Sequence, residues 1–206
     1  IDYVRDLEPD LIAVTGDLIH DQDQMAMVRP VAKGLASIAP TYYVTGNHEW
    51  AAKVVPELEE LLEACGINVL SNEYVMLTEG GDQIALLGAE DSNGYADQMT
   101  VGELADQVRQ EQGDVYTILL SHRNNHYDQY QQARVDLTLA GHAHGGLIRL
   151  PTTDGLIGPK RELWPQYTAG LYDLSYGQMV VSRGLGNQFP CFRLFNRPDV
   201  PLVVLE

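Results

Sequence analysis

The sequence predicts an α/β fold on three observations. Four short apolar runs each end at a glycine or a residue able to ligate a metal. Stretches with helical spacing separate them. The segment Leu139-Ala140-Gly141-His142-Ala143-His144-Gly145-Gly146 sets two histidines one residue apart directly after such a run. Continuous apolar runs alternating with helices read as strands buried on both faces.

The elements follow in order. Residues 11–15 read as a buried strand broken at Gly16-Asp17, and residues 25–38 as a helix ended by Ala39-Pro40. A second strand, Tyr42-Tyr43-Val44-Thr45, breaks at Gly46-Asn47-His48-Glu49. Residues 53–64 place Val55, Leu58, Leu61 and Leu62 at helical spacing with glutamates opposite, and Gly66 supplies the stop. Strands are expected at 67–70, 74–77 and 84–88, with Glu79-Gly80-Gly81-Asp82 as a hairpin turn. A helix at 101–110 precedes a third buried strand at 115–120, which ends at Ser121-His122. The run 135–140 leads into the His-x-His turn. Beyond residue 145 the chain predicts short β runs among glycines and prolines, the last at 200–205.

Composition bounds the function. A chain of 206 residues, 45% hydrophobic and 20% charged, can bury the core of one globular domain. A formal net charge of -16 argues against a nonspecific nucleic-acid binder, which needs a basic footprint, so no nucleic-acid partner is expected. It suits either a site that concentrates divalent cations or plain acidic solubility. Cys65 and Cys191 are too few for a disulfide framework and lack metal-site spacing, and Cys65 reads as a buried thiol at a helix end. No apolar run reaches the length of a membrane span, so the chain as given reads as a soluble domain with no compartment assigned.

In open α/β sheets the site lies beyond the carboxyl ends of the strands. Four strand ends therefore bring Asp17, Asn47, His122, His142 and His144 to one edge. If 141–144 is extended, His142 and His144 point the same way. Imidazole is a common nitrogen ligand for zinc, iron and manganese, and carboxylate and amide oxygens complete such sites.

Gly16-Asp17, Gly46-Asn47-His48-Glu49, Ser121-His122 and Gly141-His142-Ala143-His144 resemble, in order, the motifs of the calcineurin-like metallophosphoesterases. Three later stretches resemble a bacterial phosphodiesterase branch of that family, the YkuE- and YaeI-like proteins, which also takes in certain UDP-2,3-diacylglucosamine pyrophosphatases. They are Tyr167-Thr168-Ala169-Gly170-Leu171-Tyr172, Ser182-Arg183-Gly184-Leu185-Gly186-Asn187 and Phe195-Asn196-Arg197-Pro198. The resemblance implies a four-layer αββα sandwich of two mixed sheets flanked by helices, as a single domain over 1–206.

It also implies a dinuclear metal-dependent phosphoesterase that cleaves phosphodiester or pyrophosphate bonds, with a metal-bridging hydroxide as attacker. Asp17 would bridge two ions, drawn from Mn, Fe or Zn. Asn47, His122 and His142 would complete one ion's ligands, and His144 would bind the other. His48 would contact the phosphate and protonate the leaving oxygen, and Glu49 would orient the site from behind. Arg123 could reach a phosphate or brace the fold. His20 and His126 read as loop residues, and Trp50 and Trp164 as core or half-buried residues that could also line a substrate rim. Leu147 stands where relatives often have Gln.

The family opens with a strand ending in Asp-x-His, a triplet this sequence lacks. Ile1-Asp2-Tyr3-Val4 reads as the tail of the following helix, so an amino-terminally shortened domain without its first strand is expected. A catalytically incomplete metal-binding or scaffold protein is the alternative that this absence supports. The substrate class implied is a phosphate-ester small molecule or a lipid-linked nucleotide. Any membrane association would come through an upstream segment.

Overall fold

The computed structural model describes residues 1–150, 153–158, 161–186 and 193–205. A short helix α1, Asp2–Asp6, leads into strand β1, Ile12–Thr15. Helix α2 (Met25–Ala36), strand β2 (Thr41–Val44), helices α3 (Asn47–Ala52) and α4 (Val55–Glu63) and strand β3 (Asn68–Val69) follow. The second half adds β4 (Glu73–Glu79), β5 (Asp82–Ala89), α5 (Val101–Gln112), β6 (Tyr116–Arg123), α6 (Tyr127–Gln132), β7 (Leu137–Gly141), β8 (Gly170–Asp173) and β9 (Gln178–Val181).

The strands form two sheets. The smaller has the order β1-β2-β3, and the larger has the order β4-β5-β6-β7-β9-β8. All pairs of the smaller sheet are parallel. The larger is mixed, with antiparallel pairs β4·β5 and β8·β9 at its edges. The hairpin between β4 and β5 turns on Gly80 and Gly81, both at positive φ (59° and 101°), which glycine adopts without steric cost.

Side-chain alternation builds the layers. On β2, Val44 and Tyr42 face the other sheet while Tyr43 faces the helices. On β5 and β6, Leu86, Ile118 and Leu120 fill the space between the sheets, and Ala85, Leu87 and Leu119 face outward. The outer face of the small sheet is covered by Val28 and Ala32 of α2 and Leu58 and Leu62 of α4. That of the large sheet is covered by Leu104, Ala105 and Val108 of α5 and Tyr130 of α6. Each fully buried Leu or Val contributes about 1.5–3 kcal/mol. The result is the expected four-layer αββα sandwich.

Two expectations need correction. Residues 200–205 form no strand among the described residues, and Leu202, Val204 and Leu205 stand exposed. An apolar run becomes a strand only where a neighbour offers backbone partners. Cys65 is half-buried rather than fully buried, and Cys191 lies outside the described residues. No helix among the described residues is long and apolar enough to cross a membrane.

Candidate metal centre

The carboxyl ends of β1 and β2 in one sheet meet those of β6 and β7 in the other. Gly16 and Gly46 let the two small-sheet loops touch. A Cβ on Gly16 would lie 2.5 Å from the Gly46 nitrogen, and one on Gly46 would collide with the Asp17 carboxylate. Gly16 also has φ +81°, which side-chain-bearing residues rarely adopt. The turn after β2 continues at once as helix α3, which the sequence reading missed. Its start is fixed by Glu49, whose buried carboxylate accepts hydrogen bonds from four backbone N–H groups. These belong to Gly46 (2.9 Å), Asp17 (3.1 Å), Leu18 (2.5 Å) and Ile19 (3.3 Å). Glu49 thus staples the Asp17 loop to the Asn47 loop.

β6 continues past its apolar stretch through Ser121, His122 and Arg123. Leu120 pairs with Leu139 but Arg123 pairs with Gly141, so β6 spends one residue more than β7 over this interval. Such bulges re-aim side chains near sites. Here the bulge accompanies a His122 ring that reaches across to the other sheet, where Nδ1 lies 2.7 Å from the Thr15 carbonyl oxygen. A carbonyl only accepts, so Nδ1 carries the proton, and in the neutral ring Nε2 presents a lone pair. That Nε2 stands 3.1 Å from Asp17 Oδ2, 3.1 Å from His142 Nδ1 and 3.2 Å from Asn47 Oδ1.

These atoms fit a cation. Ligand atoms of Asp17, His122 and His142 all lie within 4.8 Å of one another, and Asn47 joins them. The neutral-ring arrangement gathers lone pairs with no proton to share. Asp17 Oδ2 is buried without a hydrogen bond of its own, and the approach of His122 Nε2 becomes one only if that ring is protonated. Burial pushes the Asp17 carboxyl up, yet His122, the His48 backbone N–H and the His48 charge outweigh it and hold it down at about 2. Burial, then the neighbouring His122, lowers His142 to about 3. Burial and the Arg193 charge lower His144 to about 4. Burial also opposes a charge on His122, but Asp17 reverses this and raises it, a proton there standing in for the cation. An ionised carboxylate beside neutral imidazoles is the protonation pattern that metal binding requires.

Of the five expected ligands, Asp17, Asn47, His122 and His142 converge. His144 is near them but outside the tight group. The expectation that an extended segment aligns the two histidines does not hold. His142 (φ 64°) and His144 (φ 49°) are both left-handed, and Ala143 N–H bonds to the Gly141 carbonyl at 2.7 Å. The segment is a tight turn. Asn196, buried in the Phe195-Asn196-Arg197-Pro198 stretch, holds it by donating to the His144 (2.7 Å) and Leu147 (3.2 Å) carbonyls. Arg193 donates to the His144 carbonyl as well as to those of Arg183 and Gly186. Neither bracing role was read from the sequence, and no spacing signal could have revealed it.

The remaining candidates separate cleanly. His48 Nε2 is 3.7 Å from Asp17 Oδ2, and its backbone N–H donates to Asp17 Oδ1 at 2.9 Å. Arg123 is buried in a two-point bond with Asp91 (2.7 and 2.9 Å), so it braces the fold. His20 packs its ring against His48 with centroids 4.2 Å apart. His126 sits in a single turn after β6. Trp50 donates to Thr45 Oγ1 at 3.1 Å, Trp164 is exposed, and Leu147 is buried. Of the Ser182–187 stretch, Asn187 lies outside the described residues.

Comparison with known proteins agrees with this geometry. The chain is 28% identical over 209 residues to the uncharacterized metallophosphoesterase YkuE of Bacillus subtilis, covering 98% of this chain and 70% of that one. It is 27% identical to the phosphodiesterase YaeI of Escherichia coli, covering 96% and 71%. A Bos taurus transmembrane protein with a metallophosphoesterase domain is 32% identical over 98% of this chain and 47% of its own length. Among solved structures, the NAD nucleotidase of Haemophilus influenzae superposes with a TM-score of 0.57 at 19% identity. It covers 95% of this chain, which spans 43% of that longer one. A family model described as calcineurin-like phosphoesterase matches residues 1–146, ending just past the His-x-His turn. The chain belongs to the calcineurin-like phosphoesterase family, whose members use divalent metal ions to act on phosphoesters.

Proposed function

We propose that this chain is a two-metal phosphohydrolase acting on phosphodiester or pyrophosphate bonds of a small molecule or lipid-linked nucleotide. The observation that carries it is the convergence of Asp17, Asn47, His122 and His142 ligand atoms around one point. Asp17 would be the shared ligand, its carboxylate offering the buried, unpartnered Oδ2 while Oδ1 is held by the His48 N–H. Asn47, His122 and His142 hold one ion and His144 contributes to the other. Mn, Fe or Zn all suit these nitrogen and oxygen donors. When bound, such a pair supplies a water of lowered pKa and positive charge beside the phosphoryl oxygens. The chain's part is to hold those ligands rigid and to offer His48, partly exposed beside Asp17, as contact to the phosphate and proton donor to the leaving oxygen. The diester preference is supported by the likeness to YaeI, which is named a phosphodiesterase.

A second reading is favoured by His144 standing outside the tight group. In it the chain holds a single ion and acts as a catalytically incomplete metal-binding or scaffold protein.

Elemental analysis paired with hydrolysis of bis-p-nitrophenyl phosphate separates the two. Two ions per chain with turnover is the expected result, with turnover lost in both variants at unchanged circular dichroism, both ions weakened in Asp17→Asn and one ion lost in His142→Ala. One ion and no turnover leaves the second reading, and unaltered activity in either variant removes the first.

A further inference from the structure

We propose that His20 is a positioning residue whose ring is the wall that keeps the His48 imidazole facing the phosphoryl site. The inference rests on the proton-donor reading of His48 and extends it to His20, a residue outside the ligand motifs.

The geometry is specific. The two rings contact with centroids 4.2 Å apart and planes tilted by 49°. His48 otherwise lacks an anchor for its ring. Its nearest charged partner, Asp17 Oδ2, is at 3.7 Å, beyond hydrogen-bonding distance, and among the described residues no side chain or carbonyl bonds to its ring nitrogens. An imidazole without a hydrogen bond is oriented only by what it packs against.

His20, by contrast, sits on a fixed frame. Its backbone N–H donates to Gln24 Oε1 at 2.6 Å, and the preceding Ile19 is buried with its N–H on Glu49. Since Glu49 also holds the Gly46 N–H, one carboxylate fixes the loops that carry both histidines. The His20 ring itself is half-exposed, 49% for the side chain, and among the described residues the Asp21 carboxylate lies 3.8 Å from its Nε2. A half-exposed ring is not needed for the core, so its place against His48 calls for another account, and an orienting wall supplies it.

The test is a double-mutant cycle on the metal-loaded protein. His20→Ala is expected to lower kcat for bis-p-nitrophenyl phosphate on the order of 10-fold, a part of the 10²–10⁴-fold that a general acid supplies, with KM and metal content little changed. The loss is expected to be larger for diphenyl phosphate, whose poorer leaving group depends more on a proton. His20→Phe, which keeps a flat ring without nitrogens, is expected to restore most of kcat. In a His48→Ala background, His20→Ala is expected to add nothing. Side-chain NMR relaxation of the His48 ring in zinc-loaded protein reads the same contact without turnover, and greater ring motion is expected in His20→Ala alone.

Unchanged kcat in His20→Ala overturns the proposal. So does an equal loss in the His48→Ala background, or a His20→Phe variant no better than alanine. Should the wild-type chain turn over no diester at all, the functional reading fails by itself, and the relaxation measurement decides the positioning role alone.

Discussion

Asn196 makes two of the hydrogen bonds that brace the His142–His144 turn, beside the one from Arg193. Asn196 spends both amide hydrogens on the His144 and Leu147 carbonyls, and its oxygen packs so close to Gly145 that a Cβ there would collide. Supporting groups of this kind commonly change metal affinity 10–100-fold when removed. Asn196→Ala is therefore expected to weaken metal binding by about that factor, with a smaller loss of global stability. Titration with zinc against a competing chelator measures the first and urea unfolding of the metal-free protein the second. Stability lost without weaker metal binding would make Asn196 a fold residue only. His122, Asp17 and Asn47 were legible in the sequence because each follows an apolar run directly. The role of Asn196 was not, since its partner carbonyls lie 52 and 49 residues away along the chain and a backbone contact leaves no residue-type signature.

The ends of β5 and β6 are tied by a buried ion pair. Asp91, just past β5, bonds Arg123 through two oxygens, and both residues are buried. Burial pushes the Asp91 carboxyl up, but Arg123 and the Asn93 N–H outweigh it, so the folded value lies below the ordinary one. A carboxyl depressed in the folded state stabilises the fold above its unfolded pKa of about 3.9 and loses that contribution as pH falls through the folded value. Asp91→Asn strands Arg123 and is expected to cost about 3–5 kcal/mol at neutral pH. The gap to wild type is expected to narrow once the pH drops below about 4. Urea unfolding at several pH values checks both. A gap that persists into acid would point to packing rather than charge. Elements of this size were mostly readable: the strands at 12–15, 41–44 and 137–141 and the helix at 101–112 all follow apolar periodicity. Helix α3 was not, because beyond the local Glu49–Gly46 cap its six residues are held by the bonds of Glu49 to the 17–19 loop and by the Gly16–Gly46 contact, which are tertiary.

For the molecule as a whole, the two sheets and their four layers could be anticipated because alternation along β2, β5 and β6 divides cleanly between inward and outward faces. The course of residues 200–205 could not, since strand formation there depends on a neighbour rather than on the run itself. One property is set by composition alone. A net charge of -16 on 206 residues means that folding gathers mutually repelling carboxylates into a compact body. Screening shrinks that repulsion, the Debye length falling from about 30 Å at 0.01 M salt to about 10 Å at 0.1 M. The metal-free protein is therefore expected to melt at a higher temperature as sodium chloride rises over that range. Metal affinity is expected to fall over the same range, because the acidic field that draws a divalent cation is screened by the same ions. The opposed trends separate charge from specific chloride or sodium binding, which would shift both quantities for one salt and not another. Repeating the melts with potassium fluoride makes that distinction. A melting temperature that stays flat in both salts would mean that local pairs such as Asp91–Arg123 have already neutralised the repulsion where it matters for folding.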